Sequence, residues 1–403
     1  MAKFRILSLD GGGSWALLQV MALQKIYGEA ARGCDILAGF DLVAANSGGA
    51  IALGGLARNL TLAALLKRFF LDEGLRRRIF TPISFGESAR DMAFKLVGLA
   101  PRYQTDPKLA VLQESLQAAG ACKLSELPAR IARSAGRSPQ FLIPAFDYDM
   151  KRAVYFRSNL KSRAASAGPH ADPTLAEAIH ASSTAPTRFF DRPAEFGGRR
   201  YWDGGVAGLN NPVLAAVVEA LANGVAAAEV AVLSIGTGSV RLPLAGPGVK
   251  GDARLLQAPA DGASVAGNLA ELAGAIVDDP PDAASFESYV ALGRPLPAPG
   301  GPRDPPFAPE AFVRLNPMVE PRLVGRVWRP PPGLDLKAFA AIAALEMDAV
   351  ENEQVAMIRR LGRRWLADQI GNQAIRSNSQ TFRCEIGHPT FSAAKAAWDA
   401  LKA

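Results

Sequence analysis

Between Met1 and Leu56 the chain twice runs from an apolar strand through a tight small-residue turn into a helix. Phe4-Arg-Ile-Leu-Ser-Leu-Asp10 alternates and then runs apolar, which suits a buried strand. Gly11 to Gly13 follow, and Ser14 to Tyr27 then carries Leu17, Leu18, Met21 and Leu23 at helical spacing. Phe40 to Ala45 reads as a second short strand, and Ser47 to Leu56 turns at once into a helix of small residues. Strand, loop and helix repeated in this order predict an α/β fold with a mainly parallel central sheet.

Further along, Leu60 to Phe70, Lys108 to Ala118, Pro173 to Ser183 and Val213 to Ala222 read as helices. Phe141 to Phe146, Ala153 to Phe156, Arg200 to Asp203 and Val230 to Ile235 read as strands. From Leu242 to Pro309 the composition shifts to Pro, Gly and Asp, the pattern of a long surface excursion able to act as a mobile cover. Leu336 to Ile370 returns to strong helix periodicity. No internal repeat interrupts the chain. The expected organisation is one catalytic unit over residues 1–376, with an insertion at about 242–309 and a tail, 377–403, of unassigned role.

A chain of 403 residues, 49 % hydrophobic and 21 % charged, has enough apolar material for a sizeable core. Its net charge of +7 favours anionic partners, either nucleic acid or an anionic membrane surface. Cys34, Cys122 and Cys384 lie far apart, in neither a metal spacing nor a disulfide framework, and read as reduced core thiols of a cytoplasmic protein. Met1 to Asp10 lacks the h-region and cleavage site of a signal peptide. The most apolar long run, Val213 to Val232, is interrupted by Glu219, Asn223 and Glu229, so no spanning helix is expected.

Three short motifs carry the chemistry. Asp10-Gly11-Gly12-Gly13 lies between a strand and a helix, where glycines let several backbone N–H groups point one way and the helix dipole favours negative charge. Such a loop suits an oxyanion hole or a phosphate cradle. Gly11, Gly13 and Ala16 also satisfy a dinucleotide fingerprint, with Asp35 downstream as the ribose-binding acid. Ala45-Asn46-Ser47-Gly48-Gly49 sets a serine among small residues at a strand-to-helix turn, the form of a nucleophile elbow, although Ser47 also suits a plain helix N-cap. Trp202-Asp203-Gly204-Gly205 ends a strand with a carboxylate, either a simple Asp-Gly turn or a base for the serine proton. As a base it needs partial desolvation to raise its pKa.

Taken together and in this order, the motifs resemble the patatin-like phospholipase family. Ala181-Ser-Ser-Thr-Ala-Pro-Thr187, Leu233-Ser-Ile-Gly-Thr-Gly238, Phe156-Arg-Ser158 and Leu315-Asn-Pro317 are similar to further family segments. The resemblance implies a three-layer α/β/α fold, no metal or other cofactor, and hydrolysis of acyl esters of phospholipids or neutral lipids. It implies Ser47 as nucleophile, Asp203 as base, and Gly11, Gly12, Gly13 and Gly48 as the oxyanion hole, supported by Asp10, Asn46, Gly49, Gly204 and Gly205. The chain departs from the family pattern at Trp15 and Ala16, where a basic residue and glycine are usual, and at Ala45, also usually glycine. An acyltransferase, a non-catalytic lipid-binding relative and a dinucleotide-binding enzyme are the alternative readings.

Histidine occurs only as His170, His180 and His388, and the order Ser47, Asp203, His388 is that of an α/β-hydrolase triad. Arg76 to Arg78, and Arg359, Arg360, Arg363 and Arg364 on a predicted helix, are candidate contacts for anionic headgroups.

Overall fold

The computed structural model describes residues 3–83, 100–165, 172–238, 240, 242–243, 245, 251–258, 280–297, 306–377 and 384–402. Its centre is an eight-stranded mixed sheet: β1 (Phe4–Leu9), β2 (Leu42–Ala45), β3 (Gln140–Asp147), β4 (Arg152–Arg157), β5 (Ala194–Phe196), β6 (Arg199–Asp203), β7 (Val230–Ile235) and β8 (Phe312–Leu315). The strand order is β5-β6-β3-β2-β1-β7-β8, with β4 also paired to β3. The run from β3 through β2, β1 and β7 to β8 is parallel, whereas β4 and β6 pair antiparallel to β3.

The parallel strands are buried on both faces, and their residues divide by parity. Leu7, Leu9, Val43, Ala45, Leu233, Ile235, Val313 and Leu315 face a large core shared with helices Leu17–Tyr27, Ser47–Ala57, Leu175–Ser182 and Asn352–Leu366. Ile6, Leu42, Ala44, Leu142, Val232 and Phe312 face a second core with helices Val213–Ala222 and Pro280–Ala291. This is the three-layer α/β/α arrangement expected of near-continuous apolar strands.

One detail of register positions the site. β3 gives one edge entirely to β4, which pairs with residues Leu142 to Asp147. The opposite edge is shared: β2 pairs with Gln140 to Leu142, and β6 takes over at Ala145 to Asp147. β6 therefore continues the row that β2 leaves. The end of β2, where Asn46 and Ser47 begin the next helix, faces the end of β6, where Asp203 stands.

Several elements depart from the sequence reading. Ser14 lies in a 3-10 turn, Gly13–Ala16, and the regular helix begins only at Leu17. The helix expected over Leu60 to Phe70 is an α-helical turn, Leu62–Leu65, that loosens into π geometry over Leu66–Leu71. Most of the stretch 242–309 lies outside the described residues, but Pro280–Ala291 within it is a helix and not an irregular excursion. The tail also carries a helix, Phe391–Lys402, whose Trp398 is fully buried and stacked on Phe40. The helix periodicity of Leu336 to Ile370 is carried by two helices, Leu336–Ala343 and Asn352–Leu366. The strap between them spends its carbonyls on outside donors: Met347 accepts from the Ser14 N–H at 2.8 Å, Glu346 from the Trp15 indole at 3.2 Å and Val350 from Arg76 at 2.8 Å. Among the described residues no helix is long and apolar enough to cross a membrane.

Candidate active site

Ser47 opens the helix Ser47–Ala57 directly after β2 and holds a φ of 49°. Such a left-handed conformation costs a non-glycine residue on the order of 1–3 kcal/mol, so the surroundings must impose it. They do so through small contacts. A Cβ on Gly48 would meet the backbone of Gly13, whose nitrogen would lie 2.8 Å away, and a Cβ on Gly49 would meet the Leu9 carbonyl at 2.5 Å. The helix can leave the strand this sharply only because both positions lack side chains. Ala45 is fully buried at the end of β2, so a methyl there is accommodated.

Ser47 stands close enough to the buried Asp203 carboxylate for its side chain to favour the ionised form. Asp203 also accepts from the Gly205 N–H at 2.8 Å and from the Asn46 amide at 3.1 Å. Burial pushes the Asp203 pKa up. The Gly205 hydrogen bond, the nearby Ser47 side chain, the Asn46 hydrogen bond and the charge of Lys108 pull it back down. A carboxylate whose pKa is raised in this way is a stronger base than an exposed aspartate. Gly204 is required in the same turn, because a Cβ there would lie 2.5 Å from Asn46 Oδ1.

A second ring of contacts holds the pair. Ser182 Oγ accepts from the Ser47 N–H at 3.1 Å and donates to Asn46 Oδ1 at 2.9 Å. The Thr184 carbonyl accepts from the Asp203 N–H at 2.9 Å. The segment Ala181 to Thr187 thus ties both halves of the site together.

The glycine loop lies beside Ser47. Gly12 and Gly13 have φ values of 147° and 55°, which favour glycine. The Gly11 N–H is spent on the Asn210 carbonyl at 2.8 Å, and Gly11's own carbonyl accepts from Thr237 Oγ1 at 2.6 Å. Gly11 is therefore a fastening of the loop, which corrects its assignment as an oxyanion donor. Gly13 and Gly48 stand in the first turns of their helices, and Gly12 immediately precedes its turn. First-turn N–H groups have no partner within their own helix, so these positions can offer donors to an anion. At the base of the loop, buried Asp10 receives both terminal nitrogens of Arg314, at 3.0 and 2.6 Å. Trp15, where a basic residue is usual, fastens the loop to the strap at Glu346.

Ser47, Gly13, Gly48 and Lys108 line a small open cleft, walled by Ile51, Ile79, Phe80, Phe189, Phe190 and Met347. The apolar wall suits a hydrocarbon chain, with the polar groups gathered at one place.

Other candidates are not brought to this cleft. His388 is buried, its carbonyl accepts from Asn372, and its Nδ1 meets no partner among the described residues. His180 is buried on the helix Leu175–Ser182, and His170 lies outside the described residues. Asp35 sits exposed in a short helix, Gly33–Leu37, while the end of β2, where a dinucleotide fold would set its ribose acid, carries Asn46 and Ser47. Arg76 is not a surface cation. It is buried and donates to the carbonyls of Phe70 and Val350, while Arg77 pairs with Glu73 and Glu351, and Arg78 with Glu114. No group of metal-ligating side chains occurs among the described residues. Of the cysteines, only Cys34 is fully buried, while Cys122 and Cys384 are half-buried, and all three are free.

A family model for patatin-like phospholipases matches residues 7–217, just over half of the chain. The chain belongs to the patatin-like phospholipase family. The match covers the glycine loop, the serine turn and the Asp203 strand, and the activity that goes with the family is hydrolysis of lipid acyl groups. Among solved structures, VipD from Legionella pneumophila is similar at 10% sequence identity and a TM-score of 0.36, over 90% of this chain and 67% of that one. No curated protein sequence matches the chain.

For this patatin-like chain, sequence reasoning singled out the segment Ala181 to Thr187 without giving Ser182 or Thr184 a role, and missed Lys108 and Arg314. Lys108 gives no signal, since a lone lysine on an amphipathic helix reads as solvated. Arg314 does give one: it interrupts the apolar strand Phe312-Val-Arg-Leu315, where a charge needs a buried partner.

Proposed function

We propose that the protein is a serine lipid acyl hydrolase of the phospholipase A or lysophospholipase type, with Ser47 as nucleophile and Asp203 as base. The observation that carries this reading is the strained φ of Ser47 at a strand-to-helix turn, together with the buried carboxylate of Asp203 beside its side chain.

In the proposed reaction Asp203 takes the Ser47 proton as Oγ attacks the ester carbonyl carbon. The carbonyl oxygen becomes an oxyanion held by N–H groups of Gly12, Gly13 and Gly48. The ester C–O bond breaks, and the leaving alcohol or lysolipid takes the proton back from Asp203. Water then attacks the acyl-enzyme, giving its proton to Asp203; as the acyl–Oγ bond breaks, Ser47 Oγ takes that proton back from Asp203 and the fatty acid departs. The wall formed by Ile51, Ile79, Phe80, Phe189 and Phe190 receives the acyl chain. The bilayer is also the expected place of work, and Arg359, Arg360, Arg363 and Arg364, which carry no ion pair among the described residues, supply cations for an anionic lipid surface.

Lipid profiling of phospholipid vesicles after incubation with the protein tests this. Free fatty acid and lysolipid should accumulate, and should not with Ser47→Ala. Acyl groups moved intact to another lipid would instead favour an acyltransferase, and no change with either protein would overturn both.

Two further outcomes follow from the geometry. Gly48→Ala sets a methyl against the Gly13 backbone and should lower kcat by roughly 10²–10³, the scale of a lost oxyanion donor, with KM little changed. A rise in KM alone would mean that the loop serves ground-state binding. His388→Ala should retain near-wild-type turnover, because Asp203 is met by Ser47, Asn46 and Gly205. A loss of about three orders of magnitude with normal folding would favour a triad instead.

A further inference from the structure

Lys108 is 1 % exposed, on the helix Asp106–Leu116, yet lines the same cleft as Ser47. Its ammonium donates to the Ser183 carbonyl and to Thr184 Oγ1 at 3.0 Å, and sits 4.2 Å from the centre of the Phe190 ring. Two acceptors and a ring face occupy its surroundings. Taking an ammonium out of water costs several kcal/mol, so a methionine or leucine would be the cheaper filling unless the charge has a use.

The contacts indicate the use. The three consecutive residues of this turn each hold something: Ser182 the Ser47 N–H and the Asn46 amide, Ser183 the Lys108 ammonium, and Thr184 both Lys108 and the Asp203 N–H. We propose that Lys108 is a positioning residue for the Ser47–Asp203 pair: its ammonium pins the 182–184 turn from which both halves hang, and its charge favours the ionised form of Asp203. The inference rests on the dyad reading above.

The charged groups around Lys108 agree with this role. Asp203 is the one charge acting on Lys108 among the described residues. His180, from the helix Leu175–Ser182, is held neutral by burial and by Lys108. On the helix of Lys108 itself, Asp106 pairs with Arg192, and Glu114 pairs with Arg78 of the adjoining helix Glu73–Ile79, where Arg77 is also paired and Arg76 is buried on carbonyls. Asp191 accepts from the Thr105 N–H. Burial lowers the Lys108 pKa to about 7, against the pull of Asp203. In the acid range Lys108 is therefore charged, and it lowers the pH at which Asp203 gives up its proton.

The sign of the effect follows. Without the cation, Asp203 keeps its proton to higher pH, and the acid limb of kcat/KM moves upward. The test is the pH profile of kcat/KM on a water-soluble acyl ester for wild type, Lys108→Met, Lys108→Arg and Thr184→Val, each with its thermal midpoint. Lys108→Met should fold, with its acid limb raised by up to about one pH unit, since the charge of Lys108 is the smallest of the influences that favour ionised Asp203. Below the limb its activity should be lower, by up to roughly tenfold, and the difference should shrink above it. Lys108→Arg keeps the charge and should keep the limb. An unmoved limb in folded, active Lys108→Met would overturn the proposal and leave the dyad standing. If Lys108→Met does not fold, Thr184→Val and Lys108→Arg decide. A lower kcat with unchanged KM and limb in Thr184→Val, and an unmoved limb in Lys108→Arg, support the role; a shifted limb in Lys108→Arg overturns it. Absence of Ser47-dependent hydrolysis in wild type would overturn the dyad itself.

Discussion

Ser47→Ala and Asp203→Asn should each lower kcat by about four orders of magnitude or more while leaving the fold intact, and the double variant should be scarcely worse than either. In the proposed mechanism the two groups act as one unit. Ser47 without a base is a weak nucleophile, and a base without Ser47 has only water to activate. Asp203→Asn is the sharper variant, since an amide keeps the shape of the carboxylate but cannot take up the serine proton. Both side chains are nearly enclosed, and each replacement is no larger than the original. Steady-state kinetics on a soluble acyl ester, with circular dichroism to check folding, measures the effect. Independent, multiplicative losses in the double variant would mean that the two residues do not act together.

Arg314→Met should destabilise the protein by about 3–5 kcal/mol, the usual cost of removing one partner from a buried ion pair. Arg314 donates to both oxygens of Asp10 and to Ser234 Oγ at 2.7 Å. Asp10 in turn anchors the base of the glycine loop, with its carbonyl accepting from Gln19 at 2.8 Å. Burial raises the Asp10 pKa to about 6, against the pull of Arg314. A raised carboxylate pKa means that the folded state binds the proton more readily than the unfolded chain. That contribution to stability is complete below the ordinary value of 3.8 and is lost as pH rises through about 6. Removing Arg314 raises the Asp10 pKa further, so the variant should lose most at neutral pH and recover part of the loss on acidification. Urea unfolding at two pH values measures this, and a loss below about 1 kcal/mol at neutral pH would contradict the pairing.

The main layers of the fold were legible because their signals are local. Apolar runs bounded by glycine turns marked β1, β2 and β7, and the small residues after Ser47 marked the crowded turn that the Gly48 and Gly49 contacts explain. The division of Leu336 to Ile370 into two helices was not legible, because periodicity does not reveal that the strap carbonyls are claimed by Ser14, Trp15 and Arg76. The same limit applied to charge. Arg76 to Arg78 read as a basic patch, yet the chain folds Arg76 inward and meets its neighbours with Glu73, Glu114 and Glu351. For the candidate site, three motifs named the residues that converge beside the cleft. The residues that hold them, Ser182, Thr184, Lys108 and Arg314, arrive from distant segments by tertiary packing, which spacing does not record.

The most direct test of the central claim is covalent labelling with a fluorophosphonate, followed by peptide mapping of the adduct. Such probes phosphonylate an activated serine and need both a nearby base and oxyanion donors. The expectation is one adduct, on Ser47, formed quickly by wild type and very slowly by Asp203→Asn, and absent in Ser47→Ala. An adduct on another residue, or equal labelling of wild type and Asp203→Asn, would contradict it.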